Sequence, residues 1–410
     1  MRRLVVASAI LATLLTMPLA GVAAAPTSTP PTDSERATAA LEYLLAAQAP
    51  DGSIDKSLGE TADYVIGAAA AGYDPATLHG CTNGTGALTF LATASDAAAT
   101  DAAKTGKTIL AVVAAGQDPT IFTGRNLLAR LTALYHSVNG TYGDGSTFGQ
   151  SFAILAVVAS GGSVPAAAST ELAALQDGDG SWSYGKAPVA MGGGDTNSTA
   201  IALMALDAAG VHSADASGLA YLSSQQLPDG GFPYQNSSAF GPPASDPDSD
   251  SVVLQALVAA GQDPASAAWS KGSSNVLTHL RAGQGGDGGF AYPASAENAF
   301  TTSQVPAALA RAPYAATVHP KYEASVPASR CPNAAPAASP TLSASAAPTG
   351  IAAASGVAAA SATGDATQSG SSTVETGSRR RPIILALAAL TFLLVVIGGG
   401  WLLLRRSRKR

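Results

Sequence analysis

One pattern recurs along this chain and limits what it can fold into: a leucine, three residues, a glutamine, two residues, Asp-Gly, one residue, and a large apolar side chain. It is spelled by Leu44, Gln48, Asp51, Gly52 and Ile54, and by Leu172, Gln176, Asp179, Gly180 and Trp182. Leu222, Gln226, Asp229, Gly230 and Phe232 repeat it, as do Leu280, Gln284, Asp287, Gly288 and Phe290. Asn139, Gly140 and Tyr142 give a weaker copy, with His136 where the glutamine belongs. The gap from Gly52 to Gly140 is about twice the other intervals, so a degenerate unit is expected between them, near Thr85 to Asp118, for six units in all. In such arrays each unit buries its apolar face on its neighbours.

Every unit has the same physical parts. A helix carries the leucine and the glutamine on one face. Asp-Gly ends it, because glycine accepts the positive φ of a helix exit. The large apolar residue packs back on the next element. A second helix follows that is apolar nearly all round, as at Phe148 to Ala159, Thr199 to Ala209 and Ser251 to Ala260, and should be buried on every side. Several units close on Gly-x-Asp-Pro, at Gly72 to Pro75, Gly116 to Pro119 and Gly261 to Pro264. Alternating half-exposed and buried helices in six pairs predict an all-α fold, an α6/α6 toroid over residues 35–317 with almost no strand.

The Gln–Asp-Gly–aromatic repeat resembles the one shared by squalene-hopene cyclases, protein prenyltransferase β subunits and the α-domain of intrinsic-factor-type cobalamin binders. The resemblance spans Glu35 to Pro313 and implies an α/α toroid. It also implies that functional residues sit at the N-termini of the inner helices, around the mouth of the ring. The matching positions are Asp63, Gln150, Asp195, Asn197, Ser198, Asp246, Asp248, Asp250, Thr301 and Thr302. Asp, Asn, Ser and Thr at helix starts also serve as N-caps. The acidic triplet is denser than a cap requires, so Asp246, Asp248 and Asp250, with Asp195 and Asn197, are the candidate ligand-binding residues. A helix N-terminus favours negative charge, so these carboxyls are expected ionised.

The enzymes' motifs match poorly. The cyclase acid is the middle residue of Asp-x-Asp-Asp; aligned through Val252 to Leu257, that position is Ser249. A carbocation path also needs an aromatic cavity, and only 6% of the chain is aromatic. The prenyltransferase zinc site needs Asp, Cys and His, but Cys81 and Cys331 have no matching motif, and His79, His136, His212, His279 and His319 are scattered. The spacing Asp-x-Asp-x-Asp lacks the glycine and distal glutamate of a calcium loop. Cobalamin binders of this type add a β-rich second domain, for which the chain has no room. No catalytic residue, metal or cofactor is therefore assigned. The expected function is a binding module for an unknown ligand, with a cyclase-type or prenyltransferase-type enzyme and a cobalamin-type binder as alternatives.

The ends of the chain set its location. Arg2 and Arg3, the apolar run Leu4 to Ala20 and the small residues after it predict a signal peptide over 1–24, with a short linker over 25–34. Residues 318–378 are Ala, Ser, Pro, Thr and Gly with few large apolar residues, and predict a disordered stalk. After a basic flank from Arg379, the run Pro382 to Leu404 carries no charge; at about 1.5 Å per residue it is long enough to span a bilayer. Residues 405–410 form a basic tail, expected in the cytoplasm, so the reading is a single-pass membrane protein with an extracytoplasmic, monomeric ectodomain. A net charge of −6 with no basic patch gives nucleic acid no footing. Two cysteines in an oxidising compartment predict one disulfide, Cys81 to Cys331. Asn83, Asn139, Asn197 and Asn236 head glycosylation sequons, and Thr373 to Gly377 resembles a sortase signal without its Leu-Pro.

Overall fold

The computed structural model describes residues 30–185, 193–237, 242–316, 322 and 324–332. All of them belong to one compact unit. The signal segment, most of the stalk and the Pro382 to Leu404 run lie outside the described residues; among the described residues no helix is long and apolar enough to cross a membrane.

Twelve α-helices among the described residues alternate between two layers. The inner ones are α2 (Leu58–Ala70), α4 (Ala102–Ala114), α6 (Thr147–Ala159), α8 (Thr196–Ala208), α10 (Pro247–Ala259) and α12 (Ala299–Leu309). The outer ones are α1 (Asp33–Ala47), α3 (Ala87–Ala97), α5 (Leu127–Ala133), α7 (Ala166–Ala174), α9 (Asp215–Gln225) and α11 (Val276–Gly283). The inner helices pack in a closed cycle, α2 on α4, then α6, α8, α10 and α12, which returns to α2. Each outer helix lies on the inner helix of the unit before it, and α1 lies on α12. The α6/α6 toroid is thus present, with the degenerate second unit supplied by α3 and α4. Among the described residues, strand is confined to three hairpins of two-residue strands, β1 (Tyr135–His136) with β2 (Thr141–Tyr142), β3 (Ser270–Lys271) with β4 (Ser274–Asn275), and β5 (Phe290–Ala291) with β6 (Glu297–Asn298).

The repeat residues turn out to be fasteners. The carboxamide of Gln226 donates to its own turn at Gly230 O (2.9 Å) and to Trp269 O of the next unit (2.9 Å). Gln48 does the same to Gly52 O and Leu78 O, and Gln176 to Gly180 O and Ala214 O. Gln284 closes the ring, reaching Gly288 O and Arg36 O on α1, where Arg281 also pairs with Asp33 at 2.7 Å. Where His136 replaces the glutamine, Gln150 of α6 takes over and donates to Gly140 O and Ala168 O. Gln150 is therefore a structural bridge, not a mouth residue open to a ligand.

The turn glycine is required twice over. Gly230 has φ 88°, and a Cβ there would stand 2.3 Å from the backbone nitrogen of Asn275.

Two boundaries differ from the sequence reading. α8 and α10 start before Thr199 and Ser251, because Asp195 and Asp246 cap a polar first turn that is helical and buried. Residues 322 and 324–332, placed in the stalk by composition, lie against the ring. The Tyr322 hydroxyl donates to Ala114 O, the Asp74 amide to Ala324 O (2.8 Å), and Ser329 and Arg330 meet Glu42. Cys331 is bonded to Cys81.

Gly230→Ala should cost more than about 2 kcal/mol, combining left-handed strain with a backbone collision. Gly210 has φ 72° but open space around it, so Gly210→Ala should cost only about 1 kcal/mol. Urea denaturation measures both; equal losses would remove packing against the next unit as the cause.

Candidate functional site

The N-termini of the inner helices gather at one end of the ring, and the same position does the same work there in every inner helix but α4, where Thr105 donates to Ala98 O instead. The fourth residue after the N-cap accepts the backbone N–H of the anchor residue that follows Asp-Gly or Asn-Gly. Thr61 accepts from Ile54, Gln150 from Tyr142, Thr199 from Trp182 and Thr302 from Phe290, all at 2.7–2.9 Å. Asp250 fills this position in α10 and accepts from Phe232 N at 2.7 Å. Its other oxygen is held by His279 of α11. Asp195 and Asp246 are N-caps, each bonded to the amide and hydroxyl of the serine three residues on, Ser198 and Ser249. Three of the five candidate residues are thus committed to holding the mouth together.

Asn197 and Asp248 differ. Each stands two residues past its N-cap, and each is at most 2% exposed. Asn197 Oδ1 and Asp248 Oδ2 have no hydrogen-bond partner among the described residues; Asp248 Oδ1 accepts from Gln304 Nε2 at 3.1 Å. Asp248, not Ser249, is the residue of this turn with a carboxyl oxygen left over in the interior.

The sequence reading named Asp63, Thr301 and Thr302 but missed Glu60, Lys107 and Tyr314. Glu60 of α2 is buried with Oε2 unpartnered. Asp63 bonds Lys107 of α4 at 2.7 Å, and the Lys107 ammonium lies 5.5 Å from the Phe152 ring centre. Tyr314, from a short turn beyond the end of α12, packs on Phe152 with ring centres 6.0 Å apart and donates to Asp63. It fills the interior from the end where the inner helices finish. Thr301 is buried with an unpartnered hydroxyl, and Thr302 is the fastener already described.

Three tyrosines were also missed, although the repeat carries them. Trp182, Phe232 and Phe290 are each followed two positions later by a tyrosine, Tyr184, Tyr234 and Tyr292. Each lies over the start of the preceding inner helix. Tyr184 packs on Phe148 of α6, with centres 4.5 Å apart. Tyr234 bonds Asp195 at the start of α8. Tyr292 sits in the field of Asp246 and Asp248 of α10. Tyr234 and Tyr292, with Pro233, Pro242, Pro243 and Pro293, wall a cavity of about 410 Å³.

Burial works against the ionised form of the carboxyls here. Burial lifts Asp195 to about 6 and Asp246 to about 7. Burial, then the neighbouring charges of Asp246, Asp63, Glu60 and Asp250, lifts Asp248 well above the usual range. Burial likewise raises Glu60, and raises Asp63 against the pull of Lys107. A helix N-terminus is worth about 0.3–2 kcal/mol to an anion, whereas removing a carboxylate from water costs several, so burial wins. Asp250 is also raised by burial, against the opposing bond from His279. Burial works to lower the His279 pKa, but the Asp250 bond and nearby carboxylates raise it overall.

No protein-family model matches the chain, and no curated protein matches it. Among solved structures it is similar to the type II terpene cyclase MstE from Scytonema, at 16% identity over 68% of this chain and 97% of that one, TM-score 0.46. A variant of that enzyme bound to geranylgeranyl dihydroxybenzoate gives 15% identity over 70% and 98%, TM-score 0.47. The unsaturated glucuronyl hydrolase of Bacillus sp. GL1 gives 12% identity over 68% and 95%, TM-score 0.48. At this distance the reactions of those enzymes are theirs alone, and the toroid here rests on this chain's own ring of helices.

The raised carboxyls fix a pH dependence. Asp195 and Asp246 bind protons in the folded state up to about 6 and about 7, but only to about 3.9 when unfolded. The folded state therefore holds more protons between those values, and this part of the stability is lost as pH rises through that window. Tm should be lower at pH 7.5 than at pH 5. Asp246→Asn, which keeps an N-cap, should remove on the order of 2–4 kcal/mol of that dependence. A Tm that climbs between pH 5 and pH 7.5 would contradict the assignment.

Proposed function

We propose that this chain is a cell-surface binding module that takes a small ligand at the mouth of its ring. The carrying observation is the cavity of about 410 Å³ walled by Tyr234, Tyr292 and four prolines at the starts of the inner helices. Its volume falls within the range of small-molecule pockets. Tyrosine and proline walls give large contact area at little conformational cost. The turns that lead to the walls are fixed by the bonds from Gln226 and Gln284, so the walls stand on rigid supports. The charge-free run Pro382 to Leu404 and the basic tail support a tether that leaves the ectodomain outside the cytoplasm.

A second reading, an acid-catalysed cyclase-type enzyme, is favoured by one observation: the Asp248 carboxyl, raised well above the usual carboxylate range by burial, keeps an unpartnered oxygen. Its surroundings favour binding instead. Asp63, Glu60, Lys107 and Gln304 stand near it. The carboxyl and carboxamide oxygens among them would capture a carbocation rather than shelter it.

Two experiments test the proposal. Fragments screened against the full-length chain by ligand-observed NMR should include binders lost in Tyr292→Ala and retained in Val138→Ala, which alters a fully exposed side chain. Binders indifferent to Tyr292→Ala would remove the cavity as the site. Deleting 382–410 should move the protein from the membrane fraction to the soluble one; a truncated chain still found with membranes would place the tether elsewhere.

A further inference from the structure

The interior beneath the mouth has more acid than base. Glu60, Asp63 and Asp248 act on one another at close range, and Lys107, bonded to Asp63, is the one cation facing them among the described residues. Two carboxyls are left without a counter-charge. Unpartnered on these side chains are the acceptors Glu60 Oε2, Asp248 Oδ2 and, on the glutamine bonded to Asp248, Gln304 Oε1, each on a side chain more than nine-tenths buried. Buried polar atoms in native proteins rarely go unpaired, and acceptors clustered around two carboxyls call for a donor from outside. An anion would be repelled, and a neutral ligand would leave both carboxyls uncompensated.

Tyr292 connects this charge to the cavity. It forms part of the cavity wall, is 46% exposed, and feels Asp246 and Asp248 directly. Tyr292 thus brings the cavity wall close to the start of α10, where Asp246 and Asp248 sit.

We propose that the mouth recognises an organic amine, its apolar body held against Tyr234, Tyr292 and the prolines and its ammonium group directed to Asp248 and Glu60. This deepens the binding reading above and rests on it. The exchange balances in charge: Asp248 gives its proton to solvent and the ammonium ion takes its place, with no covalent bond formed. Aromatic faces at the rim favour the cation as well.

Affinity must then rise with pH. The groups that set it are Asp246 and Asp250 on the same helix, Glu60 and Asp63 on α2, Lys107 on α4, His279 on α11 through Asp250, and Tyr292 above. Carboxyls lifted by burial are neutral in acid and become good partners for ammonium only as the pH increases.

The test uses the full-length chain in mild detergent, titrated calorimetrically with 2-phenylethylamine and with its neutral counterpart 2-phenylethanol. At about pH 8.5 the amine should bind at least about tenfold more tightly than the alcohol. The preference should vanish at pH 5, and repeats in buffers of different protonation enthalpy should show proton release. Asp248→Asn should weaken the amine about tenfold and leave the alcohol unchanged; Glu60→Gln serves the same purpose if the first variant does not fold. Equal affinities at pH 8.5, or an amine indifferent to both substitutions, would overturn amine recognition while the cavity stands. Displacement of the amine by calcium chloride at concentrations where sodium chloride has no effect would overturn it in favour of a metal ion. Failure of both compounds to bind would overturn amine recognition and count against the cavity itself.

Discussion

A single primary amide has two N–H groups, and this ring depends on that number. Each repeat glutamine gives one N–H to the carbonyl of its own turn and one to a carbonyl of the following unit. The two carbonyls belong to different units, Gly52 and Leu78 in one bridge and Gly230 and Trp269 in another. Buried and unpaired, each would cost on the order of 1–3 kcal/mol. The bridge therefore fixes the angle between neighbouring units as well as their contact. Repeated around the ring it sets the closure, which Gln284 completes on Arg36 of the first helix. The third unit shows that the bonds matter more than the position. It has His136 in place of the glutamine, and Gln150 from the opposite helix reaches the equivalent carbonyls.

Because this skeleton is periodic, it was legible. Leucine, glutamine, Asp-Gly and an aromatic at fixed offsets declare the helix, its end, the turn and the anchor, and four copies in one register leave little freedom for the fold. The mouth was legible only by address. A run such as Asp246-Pro-Asp-Ser-Asp250 shows that carboxyls crowd a helix start, but one residue of shift changes which of them faces the interior. Asp246 caps, Asp250 fastens a turn and Asp248 is left over, and the difference follows from where the cap falls. Glu60 and Lys107 gave no signal, because each is a lone charged residue in its own unit. Their meaning comes from α2 and α4 lying side by side. The tyrosines did give a signal, two residues after three aromatic anchors, but they lie outside the leucine–glutamine–Asp-Gly–anchor register.

Composition misled at two places for physical reasons. Carboxyls at helix N-termini suggested ionisation, since the dipole argument concerns exposed ends, whereas these ends are covered by the loops of the next unit. Thr147 and Thr196, the first residues of α6 and α8, donate to Gly185 O and Tyr234 O of those loops. The segment after residue 317 read as stalk because alanine, proline and serine dominate it. Its attachment relies on a few residues that averages conceal, chiefly Tyr322, Val326 and Cys331.

That attached segment determines how the ring would bear a load. It leaves the last helix, crosses the ends of α2 and α4, and meets Glu42 of α1 and Gly286 of the final turn before the disulfide joins it to Cys81. A pull applied at residue 332 enters through Cys331 and is delivered covalently to the first unit. The covalent path of that pull therefore bypasses Tyr314 and the last helix, whose place in the interior does not depend on what the C-terminal end is fastened to.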